Sequence, residues 1–216
     1  DDFHINPEEI EKKYFGVLTK LYNVARFSSF FEIPDDLDNA PENLAAEDKW
    51  ILAEFSSMLG TVQSSWQELD IYSATQALKN FGTGIFPSHW MEMAKSRLYD
   101  FNPSATWTVH RIVRDFMSAF SPICPFFTHH ITETLYQHSA VDVRQFPNHP
   151  VSELEVGSDE NIRLCGLTHA IIEFNSTTWK LKKDSGISLN MPISGVEIPP
   201  ELQEFSAILG QMHKLE

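Results

Sequence analysis

Apolar residues return every three or four positions through most of this chain, and that period points to helices packed on helices. From Ile10 to Phe31 the stripe is Ile10, Tyr14, Val17, Leu18, Leu21 and Ala25. A second stretch, from Ala45 to Leu69, carries Ile51, Phe55, Met58, Leu59, Val62, Trp66 and Leu69. Asp70 stands where a cap is needed for a third helix bearing Ala74, Leu78, Phe81 and Ile85. Gly82, Gly84 and Pro87 then weaken or kink that helix, because proline lacks a donor and crowds the preceding turn. Past the kink, Trp90, Met91, Ala94 and Leu98 resume the period. Asn102, Pro103 and Ser104 make a turn and cap before a fourth helix with Val109, Ile112, Val113, Phe116 and Phe120 inward. Pro122 and Pro125 bound a corner, and a fifth helix carries Phe127, Ile131, Thr134 and Leu135. Long helices joined by short connections imply antiparallel neighbours in a bundle.

The pattern changes after this point. Val141-Asp142-Val143 alternates like a short edge strand, and Phe146-Pro147 closes the bundle. The acidic stretch from Val151 to Gly157 reads as a linker. Ser158 caps a sixth helix with Leu164, Leu167, Ile171, Phe174 and Leu181, ending in Lys180, Lys182 and Lys183 before Gly186. Between Ile187 and Ile198 lie short β-like pieces broken by Pro192 and Gly195, and a last helix begins near Glu201. The expected architecture is mainly α: an antiparallel helical bundle over 1–150, followed by a small α/β appendage over 151–216.

Charge narrows the function. A formal net charge of -14 over 216 residues repels phosphate at long range and excludes indiscriminate nucleic-acid binding. Local clusters run the other way. Between Glu32 and Glu54 stand eight acids and one base, whereas from Lys79 to Phe116 five bases face three acids. No apolar run approaches the ~20 residues of a membrane span. Two cysteines without metal-ligand spacing fit a reduced, cytoplasmic setting. A first residue that is aspartate rather than methionine suggests a piece of a longer protein. His129 and His130 are adjacent and point about 100° apart on a helix, so they make no local chelate. No glycine-rich phosphate loop and no nucleophile–base motif is visible, so neither catalytic residues nor a metal is expected.

Along one flank of the first helix lie Lys13, Lys20 and Phe27, seven residues apart and nearly aligned. Two cations and a ring on one edge can meet a phosphate and stack a base. The same flank also reads as a solvated edge with Phe27 tucked under the bundle.

The words around that flank resemble a known family. Lys20 to Phe27 reads KLYNVARF, which resembles the opening of the anticodon-binding bundle of class I valyl-tRNA synthetases, archaeal type. Further similar segments follow in order: Asp48-Lys49-Trp50-Ile51-Leu52, then Leu69 to Ala74, then Ser88 to Arg97. The proline-spaced corner Ser121 to Phe127, the segment Val141 to Pro147 and the stretch Lys182 to Ile198 complete the series. His89 departs from the pattern, since the family usually has tryptophan there.

The resemblance implies anticodon recognition by a non-catalytic C-terminal fragment of a valine-tRNA ligase. The implied partners are valine tRNA, through its anticodon loop, and the catalytic domain of the parent chain, with no membrane and no DNA. It implies no cofactor in the fragment itself, ATP and magnesium belonging to the parent's catalytic part. Carried over by position, it places anticodon bases between Lys20 and Phe27 on one wall and Met91 on the other. Trp90, Lys95, Arg97, Arg111 and Arg114 are further RNA-contact candidates on chemistry alone, as is Lys13. Isoleucyl enzymes share the bundle and remain an alternative. A helical protein-interaction module is the alternative from another class.

Overall fold

A computed structural model describes residues 8, 14–137 and 146–216 of the chain. Helix α1 (Gly16–Ser28) buries Leu21 and Ala25 of the row expected for the first stretch, together with Val24, whereas Tyr14 is exposed and Val17 and Leu18 are only half-buried. Helix α2 (Ala46–Gln67) is the centre of the molecule. Trp50, Ile51, Leu52, Ala53, Phe55, Leu59 and Val62 lie around it almost without exposed area, so apolar surface is covered on more than one side. A helix that is apolar on most faces must sit inside. Leu69, expected in its buried row, is 82% exposed instead. It adopts φ 60°, the left-handed turn that stops the helix and swings the side chain away from the core.

Asp70 caps α3 (Ile71–Asn80) by accepting from the Ser73 amide at 3.0 Å. The helical course then continues where a kink was expected, but with wider winding. Residues Phe81–Trp90 form a π-helical segment around Pro87, ending with the Met91 amide bonded to the Phe86 carbonyl. Gly82 in that segment has no room for a side chain. An added Cβ would lie 2.5 Å from Phe116 Cζ and 2.9 Å from Leu21 Cδ2. Close approach of three elements thus depends on this one glycine.

Helix α4 (Met91–Tyr99) follows directly, and α5 (Pro103–Phe120) is capped by Asn102, whose side chain accepts from the Ala105 amide at 3.1 Å. Pro125 opens α6 (Pro125–Tyr136) at its first turn, where a missing N–H costs nothing. Val141-Asp142-Val143, expected as a short strand, lies outside the described residues.

The C-terminal part corrects the expected fold class. No strand occurs among the described residues, and the appendage is helical rather than α/β. After a short 3-10 turn at Ser152–Leu154 come α7 (Asp159–Gly166) and α8 (Thr168–Asp184), two helices where one was expected. A second 3-10 turn (Pro200–Phe205) leads into α9 (Ser206–His213). The β-like sequence of residues 187–198 supplies one isolated parallel bridge, Ile193 with Leu215. The reason is local. Lys182, expected in a basic cluster at a helix end, is buried, and its ammonium donates to the carbonyls of Leu189 at 2.9 Å and Met191 at 2.7 Å. Those carbonyls belong to a pinned turn and cannot join a ladder.

Residues of the C-terminal part enter the same buried cluster as the bundle. Leu154, Leu164, Ile171, Phe174, Leu202, Phe205 and Leu209 all belong to it. Polar ties run alongside: Trp50 Nε1 donates to Thr168 Oγ1 at 2.8 Å, and Asn161 Nδ2 donates to the Ala53 carbonyl at 3.0 Å. Val156, in the acidic stretch, sits so close to α2 that a Cβ on Gly60 would be 2.9 Å from its Cγ2.

Candidate nucleic-acid interface

Helix α1 and helix α4 leave a pocket of about 240 Å³ between them, lined by Lys20, Asn23, Val24, Phe27, Pro87, Met91, Glu92 and Lys95. The spacing explains the wall on α1: residues three, four and seven apart share a face, so Lys20, Asn23, Val24 and Phe27 come together. The π-helical segment supplies Pro87 and delivers Met91 to the opposite wall.

Each wall has a distinct character. Lys20 is exposed, and its ammonium donates to Ser88 Oγ at 3.3 Å. That partner is neutral, and among the described residues no carboxylate forms an ion pair with this lysine. Phe27 is half-buried and held edge-on by Phe31, with ring centroids 5.1 Å apart, and by Tyr99 at 6.2 Å. Two edge-to-face neighbours fix the plane of its ring. Met91 is 7% exposed, a soft apolar floor. Lys95 pairs with Glu92 at 3.4 Å, with both side chains about half exposed, a contact worth little in water.

The chemistry suits a nucleobase. A fixed ring offers a stacking face, Lys20 can meet a phosphate or a base acceptor, and Asn23 and Glu92 can accept from an exocyclic amine. The volume is below the ~300–1,000 Å³ of typical small-molecule sites, so the pocket fits one base of a longer ligand better than a whole cofactor.

The sequence candidates Trp90, Arg97, Arg111 and Arg114 are not in the pocket. Trp90 is fully buried, its indole donating to Asp48 Oδ1 at 3.1 Å. Arg97 pairs with Asp48 at 2.6 Å and with Glu47 at 2.8 Å. Asp48 has no exposed surface and also accepts from Ser104, so this guanidinium neutralises a buried acid inside the protein. Burial pushes the Glu47 carboxyl up, an effect that Arg97 opposes. Arg111 pairs with Asp115 at 2.5 Å and donates to the carbonyls of Leu37 and Asp38. Arg114 bridges Asp115 and Asp38, each at 2.9 Å. Together these two arginines hold the acidic loop after α1 against α5. Lys13 lies outside the described residues.

Sequence reasoning did not nominate Asn23, Pro87, Glu92 or Tyr99 as parts of this site. The signal for Asn23 was present, since it lies three residues after Lys20 on the same helical face. Tyr99 carries no such signal, because its contact with Phe27 depends on how α4 crosses α1.

A larger cavity, about 560 Å³, lies elsewhere and is lined by Glu32, Asp35, Asp36 and Glu42 beside Trp107 and Phe101. Four carboxylates repel a polyanion, so its size does not outweigh its charge. Among the described residues no group of three His, Cys, Asp or Glu side chains could hold a metal ion. No helix among them is long and apolar enough to cross a membrane.

A family model described as the anticodon-binding domain of tRNA ligase matches residues 48–198. The chain is 32% identical over 207 residues to a valine–tRNA ligase of Aeropyrum pernix, covering 91% of this chain and 24% of the relative. It is 32% identical over 195 residues to that of Saccharolobus solfataricus, covering 90% of this chain and 22% of the relative. With the Pyrobaculum aerophilum protein of the same name it shares 30% identity over 224 residues, covering 99% and 26%. The chain therefore spans about a quarter of the length of these curated relatives.

Proposed function

We propose, from the premise that this chain belongs to the anticodon-binding domain family of tRNA ligases, that it reads the anticodon of valine tRNA without catalysing a reaction itself. The observation that carries the reading is the pocket between α1 and α4, where a lysine, a fixed aromatic ring and an apolar floor meet on an acidic protein. The names of the relatives support valine as the amino acid and a valine–tRNA ligase as the parent enzyme.

Valine codons are fourfold degenerate in the third position, so a reader must ignore the first anticodon base and distinguish the middle adenine and final cytosine. Both carry an exocyclic amine, and both can stack. On this reading Phe27 stacks one of these bases, Asn23 and Glu92 accept from an amine, and Lys20 draws in the loop backbone or a base acceptor. Met91 and Pro87 close the apolar side. Residues 1–150 act as the reading bundle and 151–216 as a C-terminal subdomain that braces it. ATP and magnesium would serve the parent's catalytic part. The residues described here offer no metal cluster, and no role is assigned to either group in this chain.

The test is binding of the purified chain to anticodon stem–loop RNAs. Replacing the middle or last anticodon base should weaken binding by about 1–3 kcal/mol per changed base, whereas replacing the first should leave it unchanged. Equal affinity for all three replacements would remove the case for anticodon reading. No binding of any of these RNAs at low salt would favour protein docking instead.

A further inference from the structure

A buried amide of the C-terminal part bonds the segment that lines the pocket. Asn175 on α8 has no exposed surface. Its Oδ1 lies 2.8 Å from His213 Nε2 on α9, and its Nδ2 lies 3.2 Å from His89 Nδ1 in the π-helical segment. An amide donates from nitrogen and accepts at oxygen, so the direction of each bond is set. His213 donates from Nε2, Asn175 donates to His89, and His89 Nδ1 must be an unprotonated acceptor. A neutral His89 then carries its proton on Nε2.

The surroundings hold both rings neutral. Burial depresses the pKa of His89, with Lys20 adding to the effect. Burial also carries His213 down to about 4, with Lys182 contributing. Trp179 on α8 packs against both rings, at 5.7 and 5.6 Å between centroids. The neighbour of His89 is Ser88, the acceptor for the Lys20 ammonium, and Met91 follows two residues later. A second tie runs from α9 to α4, Gln211 Nε2 donating to Ser96 Oγ at 3.1 Å.

We propose that Asn175 is a positioning residue for the RNA pocket, holding His89 in one tautomer and orientation and thereby placing Ser88, Met91 and the Lys20 ammonium. This rests on the reading that the pocket takes an anticodon base. Packing alone does not call for an amide here. A hydrogen-bonded polar core group adds little net stability over a well-packed apolar one, but it admits only one arrangement of its partners. The C-terminal part thus sets the geometry of a wall it does not itself form.

The test combines ring NMR with RNA binding, using the whole 216-residue chain. In the parent, the nitrogen-15 spectrum should show His89 protonated on Nε2 and bare on Nδ1. Asn175→Ala should weaken binding of the valine anticodon stem–loop about tenfold, within the range for residues coupled in one hydrogen-bond network. Combined with Lys20→Ala, it should cost less than the sum of the two. His213→Gln, which keeps a donor for Asn175, should retain more affinity than His213→Ala. Leu164→Ala, a core change outside the network, controls for lost stability. The positioning role is overturned if folded Asn175→Ala binds like the parent, or loses no more than Leu164→Ala at matched stability. Protonation of His89 on Nδ1 in the parent overturns it too. Failure of the parent itself to bind RNA, with the ring tautomers as described, overturns the functional reading and the positioning role with it. Binding by the parent with Asn175→Ala unaffected overturns the positioning role alone.

Discussion

Replacing Phe27 by leucine separates stacking from packing. The ring is half-buried and touches Phe31 and Tyr99 edge-on, two contacts worth about 0.5–1.5 kcal/mol each beyond the area they bury. Leucine keeps most of the apolar volume, so the folding cost should be about 1–3 kcal/mol, a part of the ~5–15 kcal/mol of a typical domain. The variant should stay folded. Leucine has no π face, however, so RNA affinity should drop by the stacking contribution of about 1–3 kcal/mol, roughly 5- to 150-fold. Because no charge is removed, the slope of log K against log salt should not move. Thermal melts beside fluorescence anisotropy titrations at two salt concentrations measure all three quantities. The reasoning fails if Phe27→Leu lowers the melt but binds the stem–loop as tightly as the parent, since Phe27 would then be a core residue only.

Three further outcomes follow from other parts of the structure. Lys20→Ala should reduce the salt slope by about one unit if the lysine meets phosphate, and reduce anticodon discrimination at constant slope if it meets a base edge; no change in either removes it from the site. Arg97→Ala should cost about 3–5 kcal/mol in chemical denaturation, because it strands the buried Asp48, yet leave the salt slope alone. A shallower slope with little lost stability would place Arg97 on the RNA. Stability should also fall as pH drops from about 6.5 to about 4. Native His213 resists protonation down to about 4, whereas the unfolded chain takes up that proton near 6.5. This ring should contribute roughly 3 kcal/mol of the loss, and His213→Gln should lose correspondingly less in urea melts across that range, with buried His89 and His110 still acting in the same direction.

The helices were legible because their inward rows are long and periodic, as in Leu21 and Ala25 or Val109, Ile112 and Val113. Caps were legible for the same local reason: Asp70, Asn102 and Ser158 each bond an amide three residues ahead. What failed depends on side-chain contacts that periodicity does not show. Residues 187–198 look extended, yet Lys182 pins the carbonyls of Leu189 and Met191, and Ile193 makes a single isolated bridge, with Leu215 near the end of the described chain. The site divides in the same way. Lys20 and Phe27 share a face by spacing alone, whereas Met91 came from resemblance, and Tyr99 needed the crossing of two helices. The arginines lie away from the pocket, and a run of sequence shows their charge but not the acids, up to 76 residues away, with which they pair.

That consumption has a consequence for binding as a whole. With Arg97, Arg111 and Arg114 paired inside, the positive charge that lines the pocket comes from Lys20 and Lys95, and Lys95 already shares its charge with Glu92. A single-stranded ligand contributes a slope of about -0.7 for each phosphate neutralised. One or two such contacts predict an overall slope of about -0.7 to -1.4 for the stem–loop. The long-range field of a protein at -14 gives no additional attraction. Affinity must then come from stacking on Phe27 and from base-edge contacts, which depend on sequence, rather than from the backbone, which does not. On the proposed function, an acidic protein with few cations at its pocket should bind nucleic acid weakly in general and with discrimination at that pocket. A measured slope steeper than about -4 would mean that additional cations reach the RNA, and would require an interface larger than the pocket between α1 and α4.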